Sequence, residues 1–204
     1  ECRVVSMPYT FVPLTESMED RWDRFVGSNP HAWVGHHRAM IELEEAMGRA
    51  SRSHLALDER GEVAAVIPFY LARRREARLF TIRQLDSGSL LRGGPLLSDA
   101  DTSPKRRREF WQAWSDHARA LAARERADQV RVSFPHHCGA RHVSEIHEVN
   151  PLLEGGFEEV PGQTLILDLD GAGDDPITKY SKSCRKNVRR AEAAGAEFVV
   201  IRDR

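Results

Sequence analysis

Apolar residues recur along the chain at two periods, and the switches between them outline the elements. Met18, Trp22 and Phe25 fall at i, i+4 and i+7. They predict a helix that starts at Ser17, with Asp20 as its capping partner, and ends at Gly27-Ser28-Asn29-Pro30. A second helix is predicted from about His37 to Met47, with Met40, Leu43 and Met47 inward and Gly48 as its stop. Of the paired His36 and His37, one ring should pack at the helix start and the other meet solvent. The period then shortens to two. Residues 53–58 alternate, with Leu55 and Leu57 on one side, and Glu59-Arg60-Gly61 turns the chain. Residues 63–70 return as a strand in which Pro68 marks a bulge or an edge. A strand near residues 79–83 leads into a glycine-rich loop over 86–95, closing on Gly93-Gly94-Pro95.

In the second half Ser103 caps a long helix with Pro104 at its first position, and Phe110, Trp114, His117 and Leu121 form its apolar stripe. Residues 129–134 alternate as a short strand. A brief helix opens at Asn150-Pro151 and closes at Gly155-Gly156; residues 163–169 read as a strand. A last helix is predicted from Pro176 to Ala194, capped by Asp175, and a strand over 197–201 follows. Helices and strands do not alternate regularly, so the class is α/β in the broad sense (α+β): a mixed sheet flanked by helices.

Composition adds limits. The 204 residues are 41% hydrophobic and 30% charged, ordinary for a globular domain. The best apolar run, residues 63–71, is interrupted by Pro68 and falls short of the ~20 residues of a spanning helix. No leader follows Glu1, and a cytoplasmic location is expected. Cys2, Cys138 and Cys184 are odd in number and far apart, which fits reduced thiols. His136, His137, Cys138, His142 and His147 form a metal-like group without the spacing of a zinc site, so no metal is expected. Neither a nucleophile elbow nor a protease cysteine signature is present. Asp168 and Asp170 read as capping residues as much as acids.

The net charge of −1 conceals one asymmetry. On the last predicted helix, Ile177, Tyr180, Cys184, Val188 and Ala191 fall on a narrow apolar stripe, which would make Cys184 a small core residue. Lys179, Lys182, Arg185, Lys186, Arg189 and Arg190 occupy the other side, with only Glu192 to offset them. Such a face is either solvated or a phosphate-binding surface. The phosphate could belong to a nucleotide-linked substrate, a lipid-linked pyrophosphate or a transfer RNA.

The segment SKSCRKNVRRAEAAG, residues 181–195, resembles the K-x-R-x-N-[IV]-R-[RK]-A-E-x-x-G signature of Fem-type proteins, the peptidoglycan cross-bridge aminoacyltransferases and their relatives in polysaccharide biosynthesis. Residues 31–43 resemble that family's approach to its second helix, Gly93-Gly94-Pro95 its GGP loop, and Gly156-Phe157 with residues 163–169 its GF…TLVLDL strand. The resemblance implies a GNAT-like fold, with a mixed, mainly antiparallel sheet between helices. It implies a first lobe over residues 1–173, and a basic junction helix and first strand over 174–204 leading to a second lobe without which the chain is inactive. It implies transfer of an aminoacyl or acyl group, from aminoacyl-tRNA or acyl-CoA, onto an amine of a cell-envelope precursor or other polar acceptor. Arg185, Lys186, Arg189 and Arg190 would hold the substrate phosphate, Lys182 would assist, and Asn187 would fix the junction. The R-x-x-G-x-[GA] loop that holds CoA pyrophosphate is absent, so no cofactor is expected on this lobe. The alternative is a non-catalytic module that binds RNA or an acidic partner through the same helix. No catalytic residue is assigned.

Overall fold

The computed structural model describes residues 8–76, 80–88, 93–98, 103–133, 151–160 and 180–196. The strands expected over 163–169 and 197–201, the histidine-rich stretch 135–149, and Asp168 and Asp170 lie outside the described residues. The chain forms two compact units, residues 1–160 and 161–204.

The first unit is a mixed α+β structure. In chain order it contains β1 (Thr10–Pro13), α1 (Glu19–Ser28), α2 (Arg38–Ala46), β2 (Ala50–Ser51), β3 (His54–Leu57), β4 (Val63–Ile67), β5 (Tyr70–Glu76), β6 (Phe80–Asp86), β7 (Leu96–Leu97), α3 (Pro104–Glu125), β8 (Gln129–Arg131) and α4 (Pro151–Glu154). The strands form two four-stranded sheets, in the orders β1-β3-β4-β7 and β2-β5-β6-β8. Among the described residues every pairing is antiparallel except that of β6 with β8, where Gln84, Leu85 and Asp86 lie beside Gln129, Val130 and Arg131.

The sheets part at Pro68, where the sequence pattern had implied one continuous strand over 63–70. Proline brings no N–H to a ladder, so pairing cannot continue through it. Phe69 is instead held from the side: its N–H donates to Ser53 Oγ at 3.3 Å, and its carbonyl accepts from the Arg52 N–H at 2.6 Å. The chain then re-enters pairing as β5.

Strand alternation divides the core in two. Leu55 and Val66, a cross-strand pair, face Trp22 and Val26 of α1 and Ile41 of α2. Ala56, Ala65, Ile67 and Leu85 face Phe110, Trp114, Ala118 and Leu121 of α3. Helix α3 is fixed at its start by Ser103, whose Oγ accepts from the Arg106 N–H at 3.3 Å, and by Pro104 in the first turn. Trp114 stacks between Phe69 and Phe157, at ring-centre distances of 6.0 and 5.7 Å. Close approach of α4 to α3 needs Gly155: a Cβ there would lie 2.3 Å from Ser115 Oγ.

Two helices differ from the periodic reading. Residues 16–18 form a 3-10 turn, and α1 starts at Glu19 without a side-chain cap, so Ser17 does not cap it. Its fully buried side chains are Trp22 and Val26, with Met18 and Phe25 half-buried beside them. In α2 the buried residues are Ile41 and Glu44, whereas Leu43 and Met47 are exposed at 44% and 46%. Glu44 turns inward because its carboxylate has a partner, Arg49 Nη1, at 3.2 Å. A buried charge with a counterion is tolerated where an unpaired one is not. Hydrophobic periodicity alone does not register that pair.

In the second unit the described helix is α5 (Lys182–Ala193). Tyr180 is a bend and Ser181 is the N-cap, its Oγ accepting from the Cys184 N–H at 3.3 Å. The helix is therefore shorter than the predicted span from Pro176, and Ser181 takes the capping place assigned to Asp175. It closes on Gly195 at φ 81°: Gly195 N–H donates to Glu192 O at 2.9 Å and Ala196 N–H to Ala191 O at 3.0 Å. That pair of bonds satisfies the last carbonyls and requires a left-handed residue, for which glycine carries no Cβ penalty.

Candidate functional site

Helix α5 gathers five of the six cations that the sequence singled out, and Lys179 lies outside the described residues. At 100° per residue, Arg185, Arg189, Lys182, Lys186 and Arg190 fall within an arc of about 140°. Lys182, Lys186, Arg189 and Arg190 are exposed and Arg185 is half-buried. None of the five has an ion-pair partner among the described residues. Asn187 lies about 60° outside the arc, exposed, with no hydrogen bond among the described residues. The apolar stripe is weaker than its spacing suggests. Val188 and Tyr180 are half-buried, but Ala191 is exposed and Cys184 is an exposed free thiol, not a core residue. With the helix starting at Ser181, Cys184 sits in its first turn. Forked guanidiniums and point-charge ammoniums along one face can bind phosphate oxygens. They supply no proton acceptor and no nucleophile.

In the first unit the described ends of the glycine-rich loop, residues 86–88 and 93–95, are tied into packing. The buried His36 donates from Nε2 to Gly94 O at 3.0 Å and accepts the Trp33 N–H on Nδ1 at 2.9 Å. Its own carbonyl accepts from Trp22 Nε1 at 2.7 Å. Burial lowers the His36 pKa from 6.5 to about 4, so the ring is neutral and both nitrogens are used. A Cβ on Gly93 would meet the backbone C and O of Gly35 at 3.3 Å, which explains a glycine at this close approach. Asn29 Nδ2 donates to Leu97 O at 2.8 Å just beyond the loop. The loop's described residues are thus tied into packing and do not form a phosphate cradle. His37, by contrast, is exposed.

His54 and His117 are a second inward pair, 4.7 Å apart between ring centres, with Phe11 stacked on His117 at 4.3 Å. Burial lowers both pKa values, that of His117 to about 4. At the end of β6, burial raises the pKa of Asp86, against the pull of Arg131, the Gln84 amide, Arg49 and the Gly88 N–H. Asp86 Oδ2 accepts from Gln84 Nε2 at 2.6 Å and Oδ1 from the Gly88 N–H at 3.1 Å. Both oxygens thus hold the strand end in place.

The sequence reading missed one concave feature, a cleft of about 480 Å³ where the end of α2 and β2 meets β5 and β6. Arg49, Arg73 and Arg83 line it. The run Arg73-Arg74-Arg75 inside a strand was its only signal in the sequence, and the other two arginines are brought in by the fold. Among the described residues no group of histidine, cysteine or carboxylate side chains is arranged to hold a metal. No helix among them is long and apolar enough to cross a membrane.

No family profile matches the chain, and no curated protein matches it. Solved structures similar to it include the aminoglycoside 6'-N-acetyltransferase AAC(6')-Ih of Acinetobacter baumannii, at 13% identity and a TM-score of 0.47, covering 78% of this chain and 96% of that one. The aminoglycoside 6'-N-acetyltransferase AAC(6')-IG of Acinetobacter haemolyticus is similar at 13% identity and 0.47, covering 77% and 96%. Glucosamine-6-phosphate N-acetyltransferase of Arabidopsis thaliana is similar at 10% identity and 0.43, covering 78% and 97%.

Proposed function

We propose that the chain is the N-terminal part of a Fem-like acyltransferase of the GNAT superfamily, moving an aminoacyl or acyl group onto an amine of a cell-envelope precursor or another polar acceptor. The observation that supports it is the cation arc of α5, which lies in the segment 181–195 that resembles the Fem signature. On this reading residues 1–173 are the first lobe and 174–204 the junction. Arg185, Lys186, Arg189 and Arg190 hold the phosphate of the substrate, Lys182 adds charge, and Asn187 fixes the junction. The acceptor amine attacks the acyl carbonyl directly, and the tetrahedral adduct collapses to the amide as the donor's tRNA hydroxyl or thiol departs with the proton that the amine gives up. No covalent enzyme intermediate is needed. What the protein supplies is alignment and donors to the developing oxyanion. The reaction would take place in the cytoplasm.

The test is binding of a nucleotide-linked peptidoglycan precursor to this chain by calorimetry. Arg185→Gln/Arg189→Gln should weaken it about tenfold or more, since each removes charge-assisted bonds. A precursor of equal charge but altered acceptor peptide should bind less well. Equal affinity of wild type and variant would overturn the reading. So would binding of a single-stranded RNA of matched charge as tight as that of the precursor, with a steep salt dependence, which is the mark of an electrostatic module.

A further inference from the structure

The geometry points to a second anion site in the first unit: we propose that the cleft between α2, β2 and the β5–β6 pair binds the phosphate or pyrophosphate group of a small molecule. It is independent of α5 and of the reading built on it.

The cleft exists because β2 is only two residues long. It pairs Ala50 with Leu71 and Ser51 with Tyr70, and beyond Leu71 no strand lies on that side of β5 among the described residues. Helix α2 ends just before it, so Met47 and Arg49 overhang the bare edge. Arg73 and Arg83 are a cross-strand pair on β5 and β6, on the same face as Leu71. Three arginines thus line one cavity, Arg73 exposed and Arg49 with Glu44 as its ion-pair partner, and no carboxylate is among the described lining residues.

Their hydrogen bonding is incomplete. Arg83 Nε is buried without an acceptor among the described residues. Arg49 Nη1 is buried too, and it lies 3.2 Å from Glu44 Oε2 without the alignment of a hydrogen bond. A buried donor with no acceptor is unfavourable, and a ligand that brings oxygens removes that cost. Three forked cations offer more donors than the two oxygens of one carboxylate can accept. A tetrahedral phosphate, and still more a pyrophosphate, has oxygens for them all. The walls contributed by Met47, Ala50 and Leu71 are apolar, and about 480 Å³ is within the range of small-molecule sites, so an organic body can follow the phosphate inside.

The experiment titrates inorganic pyrophosphate into the chain at constant ionic strength and follows heat. Four proteins are compared with wild type: Arg83→Met, Arg73→Gln, Met47→Glu, and the α5 variant Arg185→Gln/Arg189→Gln/Arg190→Gln. Arg83→Met and Met47→Glu should each weaken binding at the cleft about tenfold or more, and Arg73→Gln by a few-fold, whereas the α5 variant, which lacks the other cations able to hold phosphate, should still bind pyrophosphate at the cleft. Met47 is 46% exposed, so a carboxylate placed there opposes an anion without emptying a core position and keeps the test readable if Arg83→Met fails to fold. Wild-type affinity in both Met47→Glu and Arg73→Gln would overturn the proposal. Loss of pyrophosphate binding in the α5 variant alone would overturn it as well, and would assign the phosphate to α5.

Discussion

His36 and Arg189 are both polar side chains on short segments of this chain, and they meet opposite surroundings. Around His36 every polar atom has a designated partner: Gly94 O, the Trp33 N–H and, through the backbone carbonyl, Trp22 Nε1. The ring is buried and neutral, and the Gly94 end of the glycine-rich loop is held by it. Around Arg189 and its neighbours there is no counterion among the described residues, and α5 rests on its own Ser181 cap and Gly195 close. One region uses polarity to specify packing. The other presents charge that has no ion-pair partner among the described residues. A group whose valences are already filled answers to the fold, while a group held in place but unmatched is available to a ligand.

The sharpest way to break the comparison is to remove the support beneath His36. Trp22 is fully buried, its indole packs between α1 and the sheet, and its N–H holds the His36 carbonyl. Trp22→Ala should cost about 3–5 kcal/mol, the usual range for an emptied aromatic site. The midpoint of urea unfolding would report it. A loss below about 1 kcal/mol, within the range of a surface change, would show that the knot is not what orders this end of the fold.

Acid should act on the same knot through its proton. In the unfolded chain the His36 imidazole takes up a proton near 6.5, whereas in the folded protein burial delays this to about 4. Between those values the unfolded state binds more protons, so stability falls as pH drops through that window. The full contribution is present above about 6.5, and no further loss from this group occurs below about 4. From His36 alone the loss amounts to roughly 3 kcal/mol. His117 and His54, also lowered by burial, add in the same direction. Urea midpoints measured from pH 7.5 down to 4, for the wild type and for His36→Gln, separate the share of His36; the variant's curve should be visibly flatter. Parallel curves would mean that the ring is not buried neutral.

The two regions also differ in how far the sequence discloses them. Ser103-Pro104 and the stripe Phe110, Trp114 and Leu121 were enough to place α3, because cap and periodicity agree there. They disagree in α2, where Leu43 and Met47 fit the apolar period yet face solvent, and the Arg49 partner draws Glu44 inside. A partner five residues away and past a turn leaves no periodic trace. Pro68 announced a break, but the parting of two sheets depends on Ser53 reaching Phe69, a contact made only in the folded chain. For the candidate sites the order reverses. The cations of α5 are contiguous and legible as a helical face; the start of the helix was misplaced, since Asp175-Pro176 competes as a cap signal with Ser181, and so was Cys184, which is exposed and not in a core. The arginine cleft was illegible because Arg49, Arg73 and Arg83 sit on three elements and converge through strand register.

The smallest expected effect tests the other half of the comparison. If the α5 cations are displayed and not used for packing, replacing Arg185, Arg189 and Arg190 together by Gln should leave the urea midpoint within about 0.5 kcal/mol of wild type. Gln keeps a long, helix-compatible side chain, so propensity changes little. Relief of like-charge crowding between Lys186 and Arg190, four residues apart, even works slightly in favour of the variant. Arg185 is the place where this could fail, because it alone of the five is half-buried and its alkyl stem can contribute packing. Arg185→Gln by itself therefore belongs beside the triple variant. A cost above about 1 kcal/mol in both would trace to that stem, leaving Arg189 and Arg190 as display. The same cost in the triple variant but not in the single one would mean that the outward cations are structural after all, and the contrast with His36 would collapse.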